Sequence, residues 1–155
     1  MMPHKVETAG LPGVIRPAAA IAGSCNAVRR LSDGRLEDAM FDSEGFVRGM
    51  LRKGLKLQAA VALVVGCGGV GSGIAASLTA VGVARLALFD VHSTSAGGLG
   101  ARLRAHYPAP AVGIGSNDPA GFGPVVNATP TGITPATRCR WMFRASMSVS
   151  WMARS

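Results

Sequence analysis

The residues best placed to do chemistry form a glycine-rich loop, GCGGVG, at residues 66–71. The loop fits the GxGxxG pattern at Gly66, Gly68 and Gly71, directly after an apolar run. In this pattern the first glycine permits a tight turn, the second lets a pyrophosphate approach the backbone, and the third allows close helix packing. Free N–H groups at the start of the following helix would face the phosphates. The expected dinucleotide contacts are Gly66, Gly68, Gly69, Val70 and Gly71.

An acidic residue, Asp90, ends the next apolar run and lies 22 residues after Gly68. An acid at this position accepts hydrogen bonds from the adenosine ribose hydroxyls and repels a 2′-phosphate. Val91 and His92 follow and supply no arginine for such a phosphate. The pattern favours NAD over NADP as cofactor, with an ordinary solvated loop aspartate as the alternative.

The elements around the loop alternate between apolar runs and helices of small residues, and this order is typical of parallel strands joined by crossovers. In a chain with 21 glycines the loop pattern alone is weak evidence, and these flanking elements strengthen it. The expected fold class is α/β, with a Rossmann-like doubly wound parallel sheet. Strands are predicted at 60–65, 85–89, 111–114 and 124–127, and helices at 71–81 and, more weakly, 101–106.

The first part of the chain has a different pattern, which predicts an α+β arrangement. Asp33 and Gly34 lie between two extended runs and predict a hairpin, because both residues tolerate the positive φ of tight turns. Asp42 and Ser43 then offer N-caps to a helix. The expected elements are a helix near 16–22, strands at 26–30 and 35–40, and a helix whose apolar face carries Phe46, Val47, Met50 and Leu51.

Charge and composition exclude several classes of function. The net charge is +8, but half of it comes from the last residues, where Arg138, Arg140, Arg144 and Arg154 follow Thr137 without an acid. No basic helical stripe remains, so nucleic acid is not an expected partner. No apolar stretch reaches membrane-spanning length and the start lacks an apolar signal core, which predicts a soluble cytoplasmic protein. The three cysteines are too scattered for a metal site, and the oligomeric state is not indicated.

Four further segments accompany the glycine loop: MPHK at 2–5, CNAVRR at 25–30, MFDSEGF at 40–46 and NATPTG at 127–132. With these segments in this order, over roughly residues 2–135, the chain resembles the shikimate and quinate dehydrogenases. The resemblance implies reversible hydride transfer between a ring hydroxyl and NAD(P), in aromatic amino acid biosynthesis or in quinate utilisation. It leaves open whether shikimate or quinate is the substrate.

The resemblance also implies roles for individual residues. Lys5 and Asp42 would be the catalytic pair, Asn26 would hold a ring hydroxyl, and all three would bind the substrate. Oxidation of a secondary alcohol requires removal of the hydroxyl proton as hydride leaves, and either member of the pair could be the base. Asn127, Thr129 and Pro130 would form a rigid turn beside the nicotinamide.

The resemblance divides the chain into the remnant of an α/β substrate-binding and catalytic domain at 1–57, a Rossmann-like NAD(P)-binding domain at 58–136 and an aberrant or disordered tail at 137–155. Ser43 stands where the family usually has glycine, and only four residues precede Lys5. We expect a reading frame that is truncated in front and shifted behind. A non-catalytic dinucleotide-binding fragment from a broken gene is the alternative to an active dehydrogenase.

Overall fold

The described part of the chain, residues 13–115 and 117–130 of a computed structural model, contains four helices and six strands. The expectations for Lys5 and for the tail at 137–155 lie outside these residues. In chain order the elements are α1 (Pro17–Ala22), β1 (Ala27–Arg30), β2 (Leu36–Ala39), α2 (Phe41–Arg52), β3 (Val61–Val65), α3 (Gly69–Ala80), β4 (Arg85–Phe89), α4 (Ser93–His106), β5 (Ala111–Ile114) and β6 (Val125–Asn127).

Four of the strands form a parallel sheet in the order β5-β4-β3-β6. The register pairs Val65 with Phe89 on one side and with Asn127 on the other. The apolar run of β3 suits this central position, because a parallel strand is covered on both faces. The carboxyl ends of β3, β4 and β6 therefore meet at one edge of the sheet. This arrangement confirms the α/β fold class.

The two faces of the sheet are covered differently. Ala62 and Val64 face a core that includes residues of both crossover helices, α3 and α4. Leu63 and Val65 face the opposite way, onto a smaller cluster that includes Phe122. Among the described residues, the link between β5 and β6 contains no helix. The described part therefore has its helices on one face and a loop on the other.

Helix α3 is the central helix of the molecule. Its residues are small or apolar on every side, and a helix without a polar face is buried on all sides. One side packs on the sheet and the other contacts α1 and α2. The main core cluster accordingly joins Ile21, Val47 and Met50 from the first part of the chain to the sheet residues. The domain boundary at 57–58 stays a prediction.

The first strands form an antiparallel hairpin that pairs Val28 with Asp38. Its turn uses a left-handed conformation at Gly34 alone, with φ of +86°. The N–H of Gly34 donates to the Leu31 oxygen at 3.0 Å, and the N–H of Leu31 donates to the Arg35 oxygen at 2.8 Å. The expected hairpin is present, but its turn is wider than one in which both central residues have positive φ.

Two predicted helix starts are wrong. Helix α2 begins at Phe41, so Asp42 and Ser43 lie in its first turn and do not cap it. Helix α4 begins at Ser93, well before the predicted residue 101. Its buried face is built largely from small residues, which dilute the helical periodicity of the sequence. The residues of that face are Ala96, Leu99, Gly100 and Leu103.

None of the helices in the described ranges is long and apolar enough to cross a bilayer.

Candidate functional site

The glycine loop joins β3 to α3, and two of its glycines are required by close backbone contacts. Gly66 has φ of +95°, and a Cβ there would lie 2.9 Å from the backbone nitrogen of Thr129. A Cβ at Gly71 would lie 1.8 Å from the carbonyl oxygen of Gly66. Any side chain at these positions would force the loop away from the sheet. The structure thus places the first and third glycines of the pattern as the sequence predicts.

The middle of the loop is open. A Cβ at Gly68 would meet no atom of the described residues within 4 Å, and both Gly68 and Val70 are exposed. Helix α3 begins at Gly69, and no side chain in the described part of the chain caps its first N–H groups. Such a helix start binds anions, because free N–H groups and the helix dipole point the same way. The open space and the uncapped helix together fit a dinucleotide diphosphate.

Asp90 holds the start of the loop. Its Oδ2 accepts the Cys67 N–H at 2.7 Å, and its Oδ1 accepts the His92 N–H at 2.9 Å. The Cys67 hydrogen bond, followed by the His92 bond, lowers the pKa of Asp90 below its usual 3.8. The half-buried carboxylate is therefore ionised at neutral pH and lies beside the loop, where a ribose would follow the diphosphate.

The loop thiol is not a nucleophile. Cys67 is 6% exposed, and its Sγ donates a weak hydrogen bond to the Phe89 oxygen at 3.7 Å. Burial, and then the negative charge of Asp90, raises the pKa of Cys67 to about 11, although Arg102 acts the other way. Because thiolate is the reactive form, this thiol stays inert at neutral pH.

The turn after β6 lies against the loop. The N–H of Ala128 donates to the Val65 oxygen at 2.8 Å, which places Thr129 next to Gly66. Asn127 Oδ1 accepts the Thr129 N–H at 3.1 Å and the Thr129 hydroxyl at 2.6 Å. These bonds hold the turn, and Pro130 follows directly at the end of the described chain; the role of the turn beside a nicotinamide stays a prediction.

Asn26 and Asp42 are brought together at the start of α2. Asn26 Oδ1 accepts the Phe41 N–H at 2.9 Å, so this side chain satisfies one of the helix's open N–H groups. The exposed Asp42 follows Phe41 directly. The Nδ2 amino group of Asn26 makes no hydrogen bond within the described ranges and can donate to a substrate.

A pocket of about 160 Å³ lies between α2 and α3 and joins the two halves of the site. It places Asp42 of the first part of the chain across from Val70 of the glycine loop. The described residues that line it are Met40, Asp42, Ser43, Phe46, Val70 and Ile74. A carboxylate thus borders a small cavity beside the helix start that fits a dinucleotide.

A larger groove of about 420 Å³ lies elsewhere along α2. None of the predicted site residues within 13–115 and 117–130 lines it, and its described lining includes Arg16, Phe41 and Leu51. We therefore assign the site to the smaller pocket. No group of three His, Cys, Asp or Glu side chains within 13–115 and 117–130 could hold a metal ion.

Sequence reasoning missed the contacts that two serines, Ser24 and Ser43, make with α3. Ser24 Oγ lies 3.1 Å from the position of a Cβ at Gly69, and Ser43 Oγ lies 2.9 Å from that of a Cβ at Gly73. Both serines are buried. The sequence signal for these contacts was the spacing of Gly69 and Gly73, four residues apart on one side of the helix. The serines themselves could not be matched to them, because they come from distant segments of the chain.

No family model matches the chain. Two curated relatives are both named shikimate dehydrogenase (NADP+). The protein of Bordetella petrii is 31% identical over 142 residues, which are 87% of this chain and 49% of the relative. That of Symbiobacterium thermophilum is 32% identical over 143 residues, 88% of this chain and 48% of the relative. The chain thus spans about half the length of these relatives.

Solved structures show the same fold. Shikimate 5-dehydrogenase of Listeria monocytogenes, solved with shikimate and NAD, superimposes with a TM-score of 0.78 at 19% identity, over 89% of this chain and 50% of that one. Quinate dehydrogenase of Corynebacterium glutamicum, solved with NAD, superimposes with a TM-score of 0.74 at 29% identity, over 88% of this chain and 50% of that one. The ligand-free 5-ketofructose reductase of a Gluconobacter strain superimposes with a TM-score of 0.74 at 24% identity, over 88% of this chain and 50% of that one. Sequence and fold together make this chain a relative of the shikimate and quinate dehydrogenases along most of its length.

Proposed function

We propose that this chain carries the cofactor site and part of the substrate site of a shikimate or quinate dehydrogenase. The proposal depends on one observation: Asp42 and Val70 of the glycine loop line the same small pocket. Curated relatives named shikimate dehydrogenase and a structural relative named quinate dehydrogenase support the substrate class. The proposed role is in making aromatic amino acids or in using quinate.

The proposed cofactor is NAD, with NADP as the second choice. The loop residues Gly68, Gly69 and Val70 would bind the diphosphate through their backbone. Asp90 would accept the ribose hydroxyls with the lone pairs that the Cys67 and His92 amides leave, and its charge would repel a 2′-phosphate. The curated relatives are named for NADP, and Asp90 is the reason to expect NAD in this chain.

A member of the pair formed by Lys5 and Asp42 would take the proton of the reacting hydroxyl. A nicotinamide bound beside the turn at Asn127–Pro130 supplies a hydride acceptor or donor. Asp42 would accept a hydrogen bond from the hydroxyl and orient Lys5, which lies outside the described residues. Asn26 would donate from Nδ2 to a neighbouring ring hydroxyl, because its Oδ1 is held by the Phe41 N–H. Holding the groups in reacting geometry is the main contribution.

The test uses the purified full chain with NAD or NADP and with shikimate or quinate. We expect calorimetry to show that NAD binds. We also expect oxidation of shikimate or quinate to produce reduced nicotinamide, which is measured by its absorbance. Asp42→Asn should abolish turnover and leave NAD binding intact, because Asp42 touches the substrate side only. Cofactor binding without turnover in the wild type would favour the non-catalytic dinucleotide-binding alternative. Failure to bind either cofactor would refute the proposal.

A further inference from the structure

The hydroxyl of Ser24 is a buried polar group without a hydrogen-bond partner among the residues that the structure describes. Ser24 lies in the link between α1 and β1 and is completely buried. Its Oγ finds no donor or acceptor in the described part of the chain. Buried polar groups are almost always paired, so each exception in a native protein calls for an explanation.

The hydroxyl points at the start of helix α3. It lies 3.1 Å from the position that a Cβ would take at Gly69, the first residue of the helix. The absence of a side chain at Gly69 is what allows this approach. The first N–H groups of a helix have no acceptors within it, and no described side chain caps α3. The unpaired hydroxyl thus lies beside the first residue of a helix whose opening N–H groups are uncapped within the described ranges.

We propose that Ser24 is a positioning residue of the dinucleotide site. When a diphosphate settles on the outward N–H groups of the loop, a small shift of α3 brings the Ser24 hydroxyl into a hydrogen bond with a first-turn N–H. Ser24 then holds the loop from beneath while the ligand holds it from above. This inference rests on the proposed dinucleotide site.

Packing alone does not explain a serine at this position. An alanine would keep the Cβ that lies 3.6 Å from the position of a Cβ at Gly69, and it would leave no buried hydroxyl unpaired. Unpaired or strained groups persist where function uses them, since a ligand completes their interactions. The serine therefore lowers the stability of the ligand-free protein and strengthens its complex.

The test is Ser24→Ala in the full chain, with NAD as the probe. We expect the melting temperature without NAD to rise by about 2–4 °C, because an unpaired hydroxyl is removed. The Kd for NAD should rise about 3- to 10-fold, because a hydrogen bond of the complex is lost. The matched control is Thr79→Val, which removes a buried hydroxyl from α3 that is paired with the Ala75 oxygen at 2.8 Å. It should leave the Kd unchanged and not raise the melting temperature.

Hydrogen exchange gives an independent readout. NAD should slow exchange of the amides at residues 68–71 in the wild type, and less so in Ser24→Ala. An unchanged Kd in Ser24→Ala, or a lower melting temperature, would overturn the role of Ser24 while the dinucleotide site stands. If the wild type itself binds no NAD, the proposed function fails and this inference fails with it.

Discussion

The Asp90 carboxylate has one structural task and one proposed task. It fixes the start of the glycine loop through the Cys67 N–H, and we propose that its remaining lone pairs accept the ribose hydroxyls of a dinucleotide. Its lowered pKa has the Cys67 hydrogen bond as first cause. The stability that follows is present above the usual pKa of 3.8 and is lost as the pH falls through the lower folded value.

We expect Asp90→Asn to destabilise the protein by about 1–2 kcal/mol, because the amide loses the charge and can accept only one of the two N–H bonds. NAD affinity should fall roughly tenfold, and the preference for NAD over NADP should shrink. Urea denaturation and calorimetry with both cofactors measure these effects. Asp33→Asn is the control, since Asp33 also accepts an N–H two residues on, from Arg35, but at the hairpin tip. An equal loss of NAD affinity in both variants would contradict the role of Asp90.

Cys67 gives a prediction about reactivity and alkaline pH. Its pKa of about 11 exceeds the ordinary 9.0, so the folded state favours the neutral thiol. The corresponding stability is complete below pH 9 and is lost as the pH rises towards 11. At pH 8 we expect iodoacetamide to modify Cys67 about 100-fold more slowly in the folded than in the denatured protein, as the thiolate fractions dictate. Peptide mass spectrometry measures both rates, and similar rates would show that the thiol is exposed.

At the scale of the elements, we expect one glycine of the loop, Gly71, to be needed for stability and another, Gly68, to be needed for NAD binding. We expect Gly71→Ala to destabilise the protein by more than about 3 kcal/mol, because its Cβ would lie 1.8 Å from the Gly66 oxygen. Gly68→Ala should leave stability within about 1 kcal/mol, because no described atom lies within 4 Å of its Cβ, and should weaken NAD binding at least tenfold by filling the proposed diphosphate space. Chemical denaturation and calorimetry check both variants. A stable Gly71→Ala protein, or unchanged NAD binding in Gly68→Ala, would count against this division.

Elements with strong local patterns could be predicted from the sequence. The strands at 85–89 and 111–114 have the predicted limits, because aliphatic runs are bounded there by turns. The start of α4 could not be predicted in this way, because the glycines and serines at 93–100 carry little hydrophobic signal, although Leu99 is fully buried. The start of α2 was misplaced because its partner, Asn26, comes from another segment.

The site was predictable to a similar extent. Glycine spacing and the placement of Asp90 follow from local sequence, and the structure brings both to the same end of the sheet. The contact of Ser24 with Gly69 depends on how α1 packs against α3, and no spacing along the chain encodes it. The pairing of Lys5 with Asp42 stays a prediction.

At the scale of the whole molecule, α3 joins the two halves of the site. Its first turn follows the glycine loop, for which we propose dinucleotide binding, and its second turn packs at Gly73 against Ser43 and Met40 on the proposed substrate side. The pocket at Asp42 is bordered by both helices. Any change in the spacing of α2 and α3 therefore moves the substrate side relative to the cofactor side.

This spacing can be tested by a double-mutant cycle at Gly73 and Ser43. A Cβ at Gly73 would lie 2.9 Å from Ser43 Oγ and 3.0 Å from Met40 Cε, so Gly73→Ala should cost about 1–3 kcal/mol of stability. In a Ser43→Gly background the hydroxyl is gone, and the cost should fall by about 1 kcal/mol or more. Urea denaturation of the four proteins gives the coupling energy, and calorimetry should show NAD affinity nearly unchanged in Gly73→Ala because the loop itself is intact. Strictly additive effects would mean that α2 and α3 do not meet at these residues, and the two halves of the site would then lack the fixed spacing on which the proposed reaction depends.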